Sequence, residues 1–510
     1  MSAPATTPLA RAAPARRALP CAAVRTAALL LTVLLLLMAV RLPWSGDLGL
    51  HGAVLERLRA DLLHPGNPLV AEDTPSPYYS PWTVLLALFA TATGSPTFHV
   101  LRLAALSGLL LFGSGLGAFV RTFTRARAAV PLALLCVLLL YGVRLFAWSG
   151  VPALTSLSLT LAYPSTFATG LTLHLWALLR RTVAGGRGLP AHLGLGLLLA
   201  AVLLVHQFTG AIALLGVAAV LLGARPRPSR AGWMRLGAGG AVGLAVVLCW
   251  PYYSFFALRG SALDAIHRPL YAHLAERFCL LIPGVVALGL RLRRDRRDPL
   301  VLLFALALAV FTAGGLSGHH AWGRVLPAVL LPAQLALAVE TAEATGRRRR
   351  ALAVTLAVAL PVGAWTQAGA LSYVLPRDAV PAALGRALPT AQTIALWPRF
   401  RWAAARVPKG ETVLTDDYYA LRVLPAYGPY TVAPAYPDVF LPDEKRRRDA
   451  TRRYFAPATP RAGRLGILKE YGVRWVLQKQ GGAGLAPDDP ALRTAARGPG
   501  GLTLLRVVGR

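Results

Sequence analysis

Of the chain's 22 acidic residues, Asp47, Glu56, Asp61, Glu72 and Asp73 crowd one polar stretch between two apolar segments. Asp47 follows Trp44-Ser45-Gly46 directly at the end of an apolar run, and His51 lies four residues on, so on a helix the two share a face. A carboxylate held at the mouth of a membrane helix is poorly solvated, which is how a general base is kept basic enough to take a proton from a hydroxyl. Asp47 is therefore a candidate catalytic base, Asp73 a second, and His51 and Glu56 are candidate substrate contacts. The competing reading is that loop acids serve solubility alone. It is the simpler one for Glu56, Asp61 and Glu72 alike.

A base that activates a hydroxyl is useful where a leaving group, such as a phosphate, is neutralised by a cation. Three places between apolar segments offer cations. Gly318-His319-His320-Ala321-Trp322-Gly323-Arg324 opens an apolar run, and a second set, with Asp264, His267, Arg268, Tyr271 and His273, lies in the loop from Arg259 to Arg277. The third is His206-Gln207. Each has a plainer alternative: an arginine snorkelling to the interface, a solvated loop, a hydrogen-bonded histidine. No His-Glu-x-x-His spacing occurs and the four cysteines are scattered, so no metal site is assigned and no cofactor is expected, with a divalent ion left open. Asp416-Asp417, followed by Tyr418-Tyr419, combines carboxylates with aromatic rings and is a candidate acceptor-binding pair.

These residues must be positioned by membrane helices. The chain is 55% hydrophobic, with a mean hydropathy of +0.52, and its apolar runs approach the roughly 20 residues a spanning helix needs. Thirteen segments are predicted to span, at 26–42, 82–95, 100–120, 129–147, 149–163, 164–180, 191–206, 208–223, 236–254, 276–290, 299–316, 323–340 and 351–372. The net charge of +32 comes from arginines clustered between them, at 180–181, 225–235, 291–297 and 347–350. Under the positive-inside rule these clusters are cytoplasmic. No basic stripe carries interleaved aromatics, so nucleic acid is not an expected partner. Counting from a cytoplasmic tail 1–25, with the first helix retained because no cleavage site follows it, places loop 43–81 and everything after 372 outside. The count leaves Arg121, Arg125 and Arg127 on the outer side. Residues 373–510 change character: Glu411–Asp416, Val473–Gln478 and Leu502–Val508 read as strands and Arg461–Tyr471 as a helix. The expected fold class is mainly α, a polytopic membrane bundle of about 13 helices with a C-terminal extracytoplasmic α/β domain.

Several features recur together in this order: an acid just past the first helix, the Pro77-Tyr78 and Pro81-Trp82 steps leading into the next, Gly94 near its end and Arg102 opening the third. Together they resemble the GT-C superfamily of polyprenyl-phosphate-sugar-dependent glycosyltransferases. Where that family often has paired acids at the first position, this chain has Asp47 followed by Leu48. The resemblance implies inverting transfer of a sugar from a polyprenyl-phosphate donor to an envelope glycan, lipid or protein acceptor, with membrane lipids around it, on the outer face of a bacterial plasma membrane. A transporter or flippase of lipid-linked sugars and a non-catalytic envelope assembly protein are the alternatives. Acids avoid the helix centres, which speaks against transport.

Overall fold

The computed structural model describes residues 21–258, 263–375 and 396–508. The tail with Arg11, Arg16 and Arg17, and the stretch 376–395 beyond the predicted domain boundary, lie outside the described residues. Two parts are present: a helical bundle that starts at α1 (Cys21–Arg41), and a C-terminal α/β domain.

Six described helices are long and apolar enough to cross a membrane. They include α1, α4 (Thr97–Val120), α10 (Arg230–Leu248), α14 (Pro299–Ser317), α15 (Leu326–Glu343, with the 3-10 turn preceding it) and α16 (Gly346–Gln367). Their outward faces expose Leu29, Leu30, Leu110, Leu244, Leu308, Val354 and Val358, the arrangement expected where lipid rather than water is the solvent. Between them run α5 (Ala129–Leu139), α7 (Pro164–Ala184), α8 (Leu189–Val205), α9 (Gln207–Leu222) and α13 (Ile282–Arg294), the last preceded by the short α11 (Asp264–His267) and α12 (Leu274–Phe278). Small residues let these helices approach closely, since apolar side chains gain little from each other in lipid. A Cβ on Gly115 of α4 would come within 2.7 Å of the Gly170 carbonyl of α7. Helix α15 is buried on nearly all sides and forms the axis of the bundle.

Two of the predicted spans differ. Segment 149–163 holds only the short α6 (Leu154–Thr160) after a turn and irregular chain; its Ser and Thr side chains bond to nearby backbone carbonyls, as Ser158 does to Leu154 O and Thr160 to Ser156 O. Segment 82–95 forms α3 (Pro81–Thr93), started by a Ser80/Thr83 capping box and Pro81, but both its ends meet the first loop. Arg59 donates to Ser95 O at its far end, and Tyr79, just before it, donates to Gly66 O. A helix with both ends on one side does not cross.

The C-terminal domain carries a mixed sheet in the order β2-β1-β3-β5-β4. β1 (Thr412–Leu414) is parallel to β2 (Tyr430–Thr431) and to β3 (Val473–Lys479). β5 (Leu502–Val507) lies antiparallel between β3 and β4 (Leu492–Arg497). The expected strands at 411–416, 473–478 and 502–508 and the helix at 461–471 are found as β1, β3, β5 and Arg461–Glu470; β2 and β4 are too short or too polar to stand out in the sequence. The first-loop helix α2 (Leu48–Ala60) fastens this domain to the bundle. A Cβ on Gly49 would sit 1.6 Å from Arg422 O, so only glycine permits this contact. Arg57 donates to Gly428 O and Pro429 O at 2.7 and 2.8 Å and covers the Tyr430 ring. Lys409 donates to Glu56 at 2.6 Å, and Thr431 N donates to Leu69 O.

Candidate active site

Where the bundle meets the C-terminal domain there is a cavity of about 460 Å³, within the usual range of about 300–1,000 Å³ for small-molecule sites. Asp47, the residue just before α2, and His51, one turn into it, both line the cavity, as their spacing requires. Arg324 lines it too, from the turn that leads into α15. Its Nη1 donates to Ser149 O at 3.0 Å, its Nη2 lies 3.4 Å from His206 Nε2, and its guanidinium covers the Phe208 ring. The turn at Ser149-Gly150 and the irregular chain to Ala153, in place of a span, bring Ser149 to this arginine.

The peptide before Asp47 is held from two sides. Tyr163, at the start of α7, donates to Ser45 O at 2.6 Å, and Tyr436 of the C-terminal domain donates to Gly46 O at 2.6 Å. The Asp47 carboxylate itself takes part in no hydrogen bond or ion pair within 4 Å among the described residues. Burial raises its pKa above the ordinary carboxylate value of 3.8, with Arg324 and Arg422 opposing. His51 stands with its ring 4.7 Å from that of Tyr163; burial pushes its pKa down to about 3, so it is neutral at physiological pH, and its Nδ1 has no hydrogen-bond partner among the described residues. The cavity thus pairs one carboxylate of raised basicity with one permanent cation, among neutral imidazoles and tyrosine hydroxyls. That set can accept a proton from a hydroxyl and stabilise an anionic leaving group.

In overall shape the chain is similar to ArnT from Cupriavidus metallidurans in the apo state, with a TM-score of 0.58 and 16% identity over 96% of this chain and 98% of that one. The ArnT structure bound to undecaprenyl phosphate gives 0.56 and 15% over the same shares. Arabinofuranosyltransferase AftD from Mycobacteria gives 0.56 and 17%, over 95% of this chain but 40% of its own length. The chain has the GT-C fold. No protein-family model matches it, and no curated protein matches it in sequence.

Within this GT-C fold, Asp47, His51, His267 and Arg324 gather at one cavity, together with His206; the other candidates do not. Glu56 is nine residues beyond Asp47, half a turn around the helix in phase, and its buried carboxylate is taken by Thr97 and Lys409. Asp73 is exposed on the first loop, away from the cavity. Arg268 is exposed. His319 is exposed, stacks on Trp322 and lies 3.7 Å from Asp264, while His320 packs on Tyr271. The turn rotates both histidines away from the cavity that Arg324 enters. Asp417 accepts from Tyr419 N and Ala420 N in the turn before the short helix Ala420–Val423, and Asp416 is exposed; neither lines the cavity. In the sequence Tyr78 marks only the path into helix two, and nothing there marks Tyr163 or Tyr436. Tyr436 is 390 positions from its partner Gly46, and no local pattern marks such a contact. Among the described residues no group of three His, Cys, Asp or Glu is arranged to hold a metal.

Proposed function

We propose that this protein is an inverting glycosyltransferase that moves a sugar from a polyprenyl-phosphate donor to an envelope glycan, lipid or protein hydroxyl at the outer face of a bacterial plasma membrane. The observation that carries this reading is the placement of Asp47 and Arg324 on one cavity in a GT-C fold. Asp47 takes the proton of the acceptor hydroxyl as its oxygen bonds to the anomeric carbon. The bond from that carbon to the phosphate oxygen breaks with its electron pair, and Arg324 meets the charge on the departing polyprenyl phosphate. The solved complex of ArnT with undecaprenyl phosphate supports the donor class.

The orientation follows from the arginines. α7 runs from Tyr163 at the cavity to Arg180-Arg181, and α15 from Arg324 to Glu340, so the cavity and the clusters lie at opposite ends. Crossings by α1, α4, α5, α7, α8, α9, α10, α13, α14, α15 and α16 put every cluster on one side. Arg121, Arg125 and Arg127 now join them, and Arg180 donates to Thr122 at 3.0 Å beside them. The C-terminal domain is then extracytoplasmic, as the thirteen-span count also had it, because removing two crossings keeps the parity. The decisive experiment is transfer of labelled sugar from a polyprenyl-phosphate donor in proteoliposomes. Transfer by the wild type that Asp47→Asn loses supports the enzyme; flip of the donor without transfer supports a flippase instead.

A further inference from the structure

We propose that Tyr436 is a positioning residue for Asp47, so that the C-terminal domain completes the reaction centre rather than only presenting an acceptor to it. This rests on Asp47 acting as the base. Among the described residues Asp47 has no side-chain hydrogen bond or ion pair to aim it, so its direction is set by the backbone that carries it. That backbone is pinned at two successive carbonyls, Ser45 O by the Tyr163 hydroxyl and Gly46 O by the Tyr436 hydroxyl, both at 2.6 Å. The two tyrosines come from different domains. Gly46, at φ +33°, lies in the left-handed region that glycine tolerates best, and such a residue keeps its conformation only where its surroundings hold it.

The Tyr436 ring has a second task. It lines both the main cavity and an adjoining one of about 160 Å³, together with Tyr78, Gln207 and Phe208. The wall between the two spaces is therefore partly C-terminal domain. The domain cannot slide past α2 to relax this contact, because Gly49 and Gly52 set their Cα atoms directly against Arg422 and Ala426. Undocking the domain thus removes the Tyr436 hydroxyl from Gly46 and opens the wall in one movement.

The test uses the full chain in proteoliposomes with a polyprenyl-phosphate-sugar probe. Tyr436→Phe keeps the ring and removes the hydroxyl; kcat should fall about tenfold, on the scale of one hydrogen bond, with KM for the donor within about twofold. Tyr163→Phe should fall similarly, and the double variant by less than the product, since both act on one peptide. A second readout does not need activity. In a background with Cys21, Cys136, Cys249 and Cys279 replaced by Ser and with Asp47→Cys, a membrane-impermeant maleimide should label position 47 several-fold faster once Tyr436→Phe is added. Wild-type kcat together with an unchanged labelling rate overturns the proposal, as does a raised KM with unchanged kcat, which would make Tyr436 a binding residue. If Tyr436→Phe is lost from the membrane, Tyr163→Phe alone, read in the same two ways, decides. Should the wild type transfer no sugar, the function proposed above fails and the labelling arm alone decides the clamp.

Discussion

Burying a carboxyl costs stability, and Asp47 ties that cost to its proposed work. Its raised native pKa means that the folded state binds the Asp47 proton more tightly than the unfolded chain does. The penalty is absent where both states are protonated, sets in as pH rises past the ordinary value of 3.8, and is complete above the native pKa. Asp47→Asn is therefore expected to lower transfer by about 10² or more, the scale of a positioned base, and at pH 7 to melt in detergent at or above the wild-type temperature. The gap should close as pH falls toward 4, and a variant that melts well below wild type at pH 7 would refute the account of Asp47 as strained by burial. The acid limb of kcat/KM should lie at higher pH than an ordinary carboxylate gives. At Arg324 the geometry is a planar fork, with one arm on Ser149 O and the other facing His206. Arg324→Lys keeps charge but loses the fork, so transfer should fall partly, and Arg324→Ala should fall further. Equal wild-type rates in both would reduce Arg324 to a snorkelling arginine.

At the scale of elements, the site depends on two helices that the sequence marks in different ways. Helix α15 follows directly on Arg324, and its far end holds Glu340, fully buried and paired with Arg291, Arg294 and Arg348 from α13 and α16. Arg291 also pairs with Asp298, which caps α14. Glu340→Gln leaves these arginines short of a counter-charge. It should cost about 3 kcal/mol, the low end for breaking a buried pair because Arg294 and Arg348 are half exposed. Thermal melting in micelles checks this; a shift near zero would show the cluster to be ornamental. Helix α2 carries Asp47 at its head and the domain contact on its glycine face. Gly49→Ala puts a methyl 1.6 Å from Arg422 O, a backbone atom that cannot swing aside. It should loosen the C-terminal domain, read as faster protease cleavage near residues 405–410, by the overpacking cost of about 1–3 kcal/mol. Wild-type cleavage would mean that the domain docks elsewhere.

For the whole molecule, the eleven-crossing path differs from the thirteen-segment count only between residues 95 and 149, where the turns at 96–99, 121–128 and 148 all change side. Between α4 and α5 the eleven-crossing path runs through the cytoplasm, whereas the thirteen-segment count puts that turn outside. A cytoplasm-only fluorescent reporter inserted after Thr124 should glow, and one fused after residue 380 should not. Alkaline phosphatase should behave in the opposite way at both points. A dark reporter after Thr124 would restore the longer count.

Much of this was legible in the chain. Apolar length and arginine clustering identify a membrane bundle because a bilayer imposes the same length and sidedness on every crossing. The i, i+4 spacing of Asp47 and His51 predicts a shared face because a helix has a fixed pitch. Composition could not tell α3, which lies along the first loop, from a helix that crosses, since both are apolar and only the contacts of their ends differ. Nor could it show that Glu56 is taken by Thr97 and Lys409, or that His319 and His320 turn away while Arg324 turns in. The tyrosines on either side of Asp47 were out of reach for the same reason. One comes from the turn before α7 and the other from a separate domain, and hydrogen bonds between residues so far apart in the chain exist only once packing has brought their carriers together.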